Sequence, residues 1–464
     1  MQTHKIIQNK KRHNTISYIS KLLLGASLTF SALSFAEEAK PPMGWLFSDI
    51  NDNEAGVTVS GWLQASYAGS DNGEQLLPAT FFRKEDSAAL DQFGFMIEKK
   101  IKSNVLSRVG AFPGLAPTEF DWGFNVTVNY GADNFFFRTY GIDDDWDINE
   151  VGDFGNDDLY LTLTQAYLEF YFPVLDGSNL MVGLFHTPLE NEIGFPLPAP
   201  APTDFYTKTY SFMHGPAKHF GALWSSKFSS EAGGAMLSYE LGIVRGWNNF
   251  DDPNDDFDII ANLRWRSADF STWVDFENIY GNGADDSIAE CGCGSPIPTS
   301  SELAGDDSLM RQLSYLTITK FVDSNNRLVA EFSYGKQEKS LFADLFNDDT
   351  FGVPEEGGED ATWYGVDLNW HHTINPELVA STRAEFFNTD GVNVLLPYAG
   401  DYKAVTANLS WTPRHNIRVR PEIRYDWYSG SAAPFGAKSI APPPLLAGTE
   451  DTQLTYSVDV TFFF

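Results

Sequence analysis

Apolar and polar residues alternate with a period of two through most of the chain beyond residue 55, the repeat of a strand that keeps one face against an apolar phase. Residues 120–131 carry the pattern most cleanly. There Trp122, Phe124, Val126, Val128 and Tyr130 share one face, and Asp121, Gly123, Asn125, Thr127 and Asn129 share the other. One such segment would serve equally well in a soluble sandwich, so it is the repetition that decides. The alternation predicts strands near 56–68, 90–101, 120–131, 158–171, 178–187, 218–228, 234–246, 256–267, 270–280, 309–321, 325–336, 361–373, 377–388, 401–412, 416–428 and 452–464. Sixteen is an even number, as single-chain bacterial barrels require. The expected fold is all-β: a transmembrane antiparallel up-and-down β-barrel of about 16 strands with long extracellular loops.

Connection lengths test this independently, because such barrels alternate short turns on one side with long loops on the other. Short links are expected around Asp176, Ser229, Ala268, Asp323, Asn375 and Arg414, and long ones at 188–217, 247–255, 282–308, 337–360, 389–400 and 429–451. The misfit is 102–119, which should be short and is not. It implies either a small helix there or a strand count off by two.

Composition narrows the membrane question. Aromatic residues make up 15% of the chain, yet mean hydropathy is −0.25. Past the N-terminus no stretch reaches the roughly 18 uninterrupted apolar residues of a spanning helix. Residues 1–36 read as a signal peptide: Lys5, Lys10, Lys11, Arg12 and Lys21 precede or edge the apolar run Leu22 to Phe35, and Ser34 and Ala36 suit a cleavage site. Residues 37–55 then form a short periplasmic segment and 56–464 the barrel. The net charge of −32 becomes more negative once those five basic residues are removed, which excludes nucleic acid as a partner. Cys291 and Cys293 are the whole thiol inventory. A local loop disulfide or inert thiols fit them better than zinc, and no motif calls for a cofactor or a metal.

A channel needs a polar inner wall. In 416–428, Arg418, Arg420, Glu422, Arg424 and Asp426 alternate with Ile417, Val419, Pro421, Ile423 and Tyr425. A charged side chain facing lipid costs about 2–4 kcal/mol at the bilayer midplane, so the charged set is expected to line the pore. Arg383 and Glu385, Arg264 and Arg266 beside Asn262, and Asp367, Asn369 and His371 follow the same alternation. Such charges either set a transverse field across the lumen or pair with one another and stiffen the wall. The connection from Pro188 to Pro216 stands out, combining Leu189, Ile193, Phe195, Leu197 and Phe205 with Glu190 and Glu192. It is too apolar to lie in solvent, so it is expected to fold into the barrel with Glu190 and Glu192 at the constriction, or else to pack on the rim or a neighbouring subunit. Acidic runs at Asp143, Asp144, Asp145 and Asp147, at Asp251, Asp252, Asp255 and Asp256, and at Glu355, Glu356, Glu359 and Asp360 should face the medium as solvated loops, since none has the spacing of a calcium loop.

Several short motifs in order carry a resemblance. Gln165-Ala166-Tyr167, Gly183-Leu184-Phe185-His186-Thr187, the run from Gly242 to Asn248, Trp363-Tyr364-Gly365, Arg383-Ala384-Glu385-Phe386-Phe387 and the run from Arg420 to Asp426 resemble the OmpL-like putative β-barrel porin family over most of the mature chain. The resemblance implies a channel in the outer membrane of a Gram-negative bacterium, passing small hydrophilic solutes or ions by passive diffusion. Its surroundings would be outer-membrane lipids and the barrel assembly machinery, with a homotrimer left open. Two rivals stand beside it. A lipid hydrolase would need a Ser and His on the outer face, and no Gly-x-Ser-x-Gly elbow is present. A plugged or narrow barrel acting as an adhesin or structural protein would show no conductance. The last predicted strand places Leu454, Tyr456, Val458, Val460, Phe462 and Phe464 on one face. It is expected to meet the first strand, with Val57, Val59, Leu63 and Tyr67, at the seam.

Overall fold

A computed structural model describes residues 43–72, 87–107, 109, 113–139, 141–143, 146, 159–192, 203–228, 234–250, 256–282, 310–338, 360–390, 399–430, 433–436 and 449–464. The predicted signal peptide, Cys291 and Cys293 lie outside them. The strands are β1 (Val57–Ser70), β2 (Ser87–Lys99), β3 (Asp121–Gly131), β4 (Tyr160–Phe172), β5 (Ser178–His186), β6 (Lys218–Lys227), β7 (Met236–Val244) and β8 (Asp258–Arg266). They continue as β9 (Thr272–Gly281), β10 (Arg311–Phe321), β11 (Asn326–Gln337), β12 (Ala361–Asn375), β13 (Leu378–Thr389), β14 (Gly400–Arg414), β15 (Ile417–Gly430) and β16 (Thr452–Phe463). Each pairs antiparallel with its neighbours in sequence, and β1 pairs with β16, so the sheet closes into a 16-stranded barrel without an edge.

At the seam Leu63 lies opposite Phe462 and Tyr67 opposite Val458, while Val57 and Val59 pair only with β2. Phe464 closes it further: its N–H donates to Gly61 and its carbonyl accepts from Gly61 and Gly44. Trp45 reaches the Phe463 carbonyl at 2.6 Å, so residues before β1 dock on the same corner.

Polarity is inverted relative to a soluble protein. Leu168, Leu241, Ile243, Leu263, Leu368, Val405, Ile423 and Val460 are exposed on the outer face, whereas Arg264, Arg383, Arg420 and Arg424 are among the largest fully buried side chains. Outward rings form contacts near both barrel ends, as in Phe172–Trp224 at 6.1 Å and Phe228–Tyr239 at 5.2 Å at one end and Tyr364–Phe386 at 6.0 Å at the other. Aromatic girdles flanking an apolar band are the outer-membrane pattern. Among the described residues no helix is long and apolar enough to cross a membrane.

Two expectations need correction. The described residues between β2 and β3 form no helix, and the strand count of sixteen stands. Ile101, Ser103, Asn104, Val105 and Leu106 are buried, because this connection folds into the barrel from the short-turn end. Asp143 also does not face the medium. It is 1% exposed and pairs with Lys218 at 3.1 Å, because its carboxylate accepts the Leu163 N–H at 2.7 Å and is drawn inward. Of the other acidic-run residues, Asp256 and Asp360 are described. Asp256 accepts from Asn282 at 2.6 Å, and Asp360 pairs with Lys336 at 2.8 Å.

Candidate functional site: the occupied lumen

The connection between β5 and β6 lies inside the barrel wherever it is described. It leaves β5 through Thr187, whose hydroxyl meets His219 Nε2 at 3.0 Å and accepts the Leu189 N–H at 3.3 Å. Leu189 is fully buried. Glu190 adopts φ +61°, a left-handed conformation that costs a residue with a Cβ on the order of 1–3 kcal/mol, and the wall offsets that cost. Its N–H donates to Glu277 on β9 at 2.7 Å. On the way back, Tyr210–Met213 makes one helical turn, capped by the Thr209 hydroxyl, which accepts the Phe212 N–H at 3.0 Å. The turn can lie flat against β12 because Gly365 has no side chain: a Cβ there would sit 2.2 Å from Ser211 Oγ.

Inner-wall carboxylates receive the loop's N–H groups. Glu422 accepts from Tyr206 and Thr207, each at 2.8 Å, and Glu385 accepts from Tyr210 at 3.1 Å. Guanidiniums take its carbonyls in turn. Arg383 donates twice to Thr207 O at 3.1 Å, Arg424 to Lys208 O at 2.9 Å and Arg264 to Pro188 O at 2.6 Å, while Arg420 bonds the Thr203 carbonyl. These charges also pair laterally: Arg383 with Glu385 at 2.8 Å and with Glu192 at 2.6 Å, Arg424 with Glu385 at 2.7 Å and Asp426 at 2.8 Å, and Arg420 with Asp459 at 2.7 Å. On the far wall Arg264 bridges Glu240 at 2.7 Å and Glu277 at 2.6 Å, and Arg266 grips Asp275 at 2.6 and 3.0 Å. Burial raises the pKa of the Glu192 carboxyl, although Arg383 pulls the other way.

Aromatic contacts seat the loop further. Phe205 lies under Arg383 and against His371, with ring centroids 5.7 Å apart; Tyr210 packs on Tyr402 at 5.4 Å and donates to Asp426 at 2.6 Å. His214 stacks on Phe387 at 4.4 Å, and burial holds its pKa down to about 3, so the ring is neutral.

All fourteen residues singled out from the sequence face the interior; Glu192 and Arg418 are half-buried there, Arg418 set over the Phe463 ring, and the rest are buried. Nine of them hydrogen-bond the loop or belong to it: Arg264, Arg383, Glu385, Arg420, Glu422, Arg424, Asp426, Glu190 and Glu192. His371 packs on the loop's Phe205, and Arg266 pairs within the wall. Asp367 and Asn369 contact each other at 2.8 Å. Glu240, Glu277, Glu331 and Asp459 were missed, although each is a carboxylate at an inner-face position of an alternating strand, which is the signal that finds them. Tyr206, Thr207 and Tyr210 had no such signal, since their roles come from backbone and ring contacts across the barrel.

Comparison with known proteins follows the same lines. The family profile described as putative beta-barrel porin-2, OmpL-like, matches residues 56–464. Among solved structures, the outer membrane channel DcaP of Acinetobacter baumannii is 13% identical, with 89% of this chain and 99% of that chain covered and a TM-score of 0.52. OprB of Pseudomonas putida, in its high-pH structure, is 12% identical, with 92% and 100% covered and a TM-score of 0.53. At such identities the likeness is one of fold. No curated protein matches the chain in sequence.

Proposed function

The chain belongs to the putative beta-barrel porin-2, OmpL-like family, and from that premise we propose that it is a narrow porin, passing small hydrophilic solutes and ions through a water-filled lumen in the outer membrane of a Gram-negative bacterium. The observation that carries this is the inverted barrel: an apolar exterior enclosing a charged interior whose wall charges hold the β5–β6 loop. In this reading Arg264, Arg266, Asp367, Asn369, His371, Arg383, Glu385, Arg418, Arg420, Glu422, Arg424 and Asp426 line the pathway. Glu190 and Glu192 stand at its narrowest part, where fixed charges of both signs sort permeating ions.

Residues 1–36 are then a removed signal peptide, and 37–55 lie in the periplasm with the short turns. The partners are lipids along the exposed apolar band, the barrel assembly machinery and two further copies in a homotrimer. We read the barrel as non-enzymatic, because His186, His214, His219 and His371 are buried, His372 on the outer face is tied to Asn326 at 3.0 Å, and His415 packs on Trp45. One observation favours a second reading, a plugged structural or adhesive barrel: the charged inner-wall side chains are almost all buried against each other and the loop. Planar-bilayer recordings of the purified protein separate the two. Discrete open steps with a reversal potential in a salt gradient are expected, and a silent barrel would favour the plugged reading.

A further inference from the structure

We propose that the inner wall of β12 carries a subsite for an organic cation, the alkylammonium or guanidinium group of a permeating solute; this rests on the porin reading above. Three carboxylates stand side by side there. Glu331 on β11 is opposite Asp367 on β12, and Asp367 is opposite Glu385 on β13. Like charges facing each other across strands destabilise a sheet unless something compensates them.

Glu385 is compensated, with Arg383 and Arg424 on one oxygen and the Tyr210 N–H on the other. Asp367 is not. It is 3% exposed, its Oδ1 accepts only from Asn369 Nδ2 at 2.8 Å, and its Oδ2 has no hydrogen-bond partner. The Arg383 guanidinium, nearest by register, spends its N–H groups on Glu385, Glu192 and Thr207. A second, uncharged group has the same deficit: the amide oxygen of Asn369, 6% exposed, also lacks a donor.

The loop explains why these two positions stand out. On the inner face of β12 the successive positions are Gly365, Asp367, Asn369 and His371. Ser211 closes on Gly365 and hydrogen-bonds Ser333 beside it at 2.8 Å, while Phe205 packs on His371. The loop engages the first and last positions and gives the oxygens of the two between no hydrogen bond. Those two each present an acceptor oxygen without a donor, next to a row of carboxylates. A buried acceptor left without a donor costs on the order of 1–3 kcal/mol, which a group rich in N–H donors would relieve while neutralising the row. Among the described residues no set of Asp, Glu, His or Cys could hold a metal ion, so the chemistry fits an N–H cation.

Spermidine is the probe. Added to one side of a bilayer containing the channel, it should reduce the potassium current in a concentration-dependent way. Asp367→Asn, which keeps the shape and removes the charge, should raise the half-blocking concentration about tenfold or more, a shift of the size a single lost ionic contact gives. Asn369→Ala should raise it less, and Asp323→Asn on an exposed turn should leave it unchanged. Calorimetric titration of spermidine into the detergent-solubilised barrel, checked for folding by heat-modifiable gel migration, reads the same subsite without conduction. Equal block or equal binding in wild type and Asp367→Asn, or no binding in wild type, overturns the proposal. Binding that is lost in Asp367→Asn while the wild-type barrel conducts nothing upholds the subsite and strikes the porin reading instead.

Discussion

Two connections enter the lumen from opposite ends, and they are held by different chemistry. The β5–β6 loop is held by charge. Its N–H groups end on Glu277, Glu385 and Glu422, and its carbonyls end on Arg264, Arg383, Arg420 and Arg424. The β2–β3 connection is held mostly by neutral groups and apolar burial: Ser103 to Asn179 and Asn104 to the Asp176 carbonyl, both at 2.9 Å, with Ile101, Val105 and Leu106 buried. They are linked through the wall. The Ser107 hydroxyl lies 2.9 Å from Glu240 as well as 2.5 Å from Val109 O, and Glu240 is held by Arg264, which also donates to Pro188 O. A charge-assisted bond is roughly twice as strong as a neutral one, so the loop is the firmer insert and the short-turn connection the softer.

Removing Arg383 and Arg424 together should break the comparison most strongly. It leaves Glu385, Glu192 and Asp426 buried without cations, and breaking a buried pair by removing one partner costs about 3–5 kcal/mol. The loop should leave the wall and single-channel conductance should rise. Unchanged conductance in a barrel that still migrates as folded would mean that other contacts seat the loop.

Arg264→Met should have an intermediate effect, because it releases Pro188 O and strands Glu240 and Glu277 without unseating Tyr210. Combined with Ser107→Ala in a double-mutant cycle, it should show a coupling of about 0.5–3 kcal/mol in the barrel's unfolding free energy, the range for groups in one network. Strict additivity would separate the two inserts. Ser107→Ala alone should be mildest, about 0.5–1.5 kcal/mol for one hydrogen bond, with conductance little altered. A large rise would make the short-turn insert the controlling barrier.

Much of this was legible beforehand. All sixteen strands fall where the alternation put them, because a membrane barrel forces every strand to present lipid on one face and a polar interior on the other. Arg383, Glu385, Arg424 and Asp426 were legible for the same reason. The destination of those charges was not. Glu422 lies more than 200 positions along the chain from the Tyr206 and Thr207 N–H groups it binds, and no local period relates them. The 102–119 connection was misread for a related reason: its apolar residues lack strand or helix periodicity, and only the enclosed space of the barrel gives them somewhere to be buried.

The sequence by itself determined the side of the wall on which each strand residue sits, since a period of two admits only two faces and lipid rejects charge from one of them. Tertiary structure alone decided what the inner charges do. A closed barrel brings distant strands within reach of one inserted loop, and the buried charges must then find partners wherever geometry places them: on the loop for Arg383 and Glu422, and nowhere for the second oxygen of Asp367.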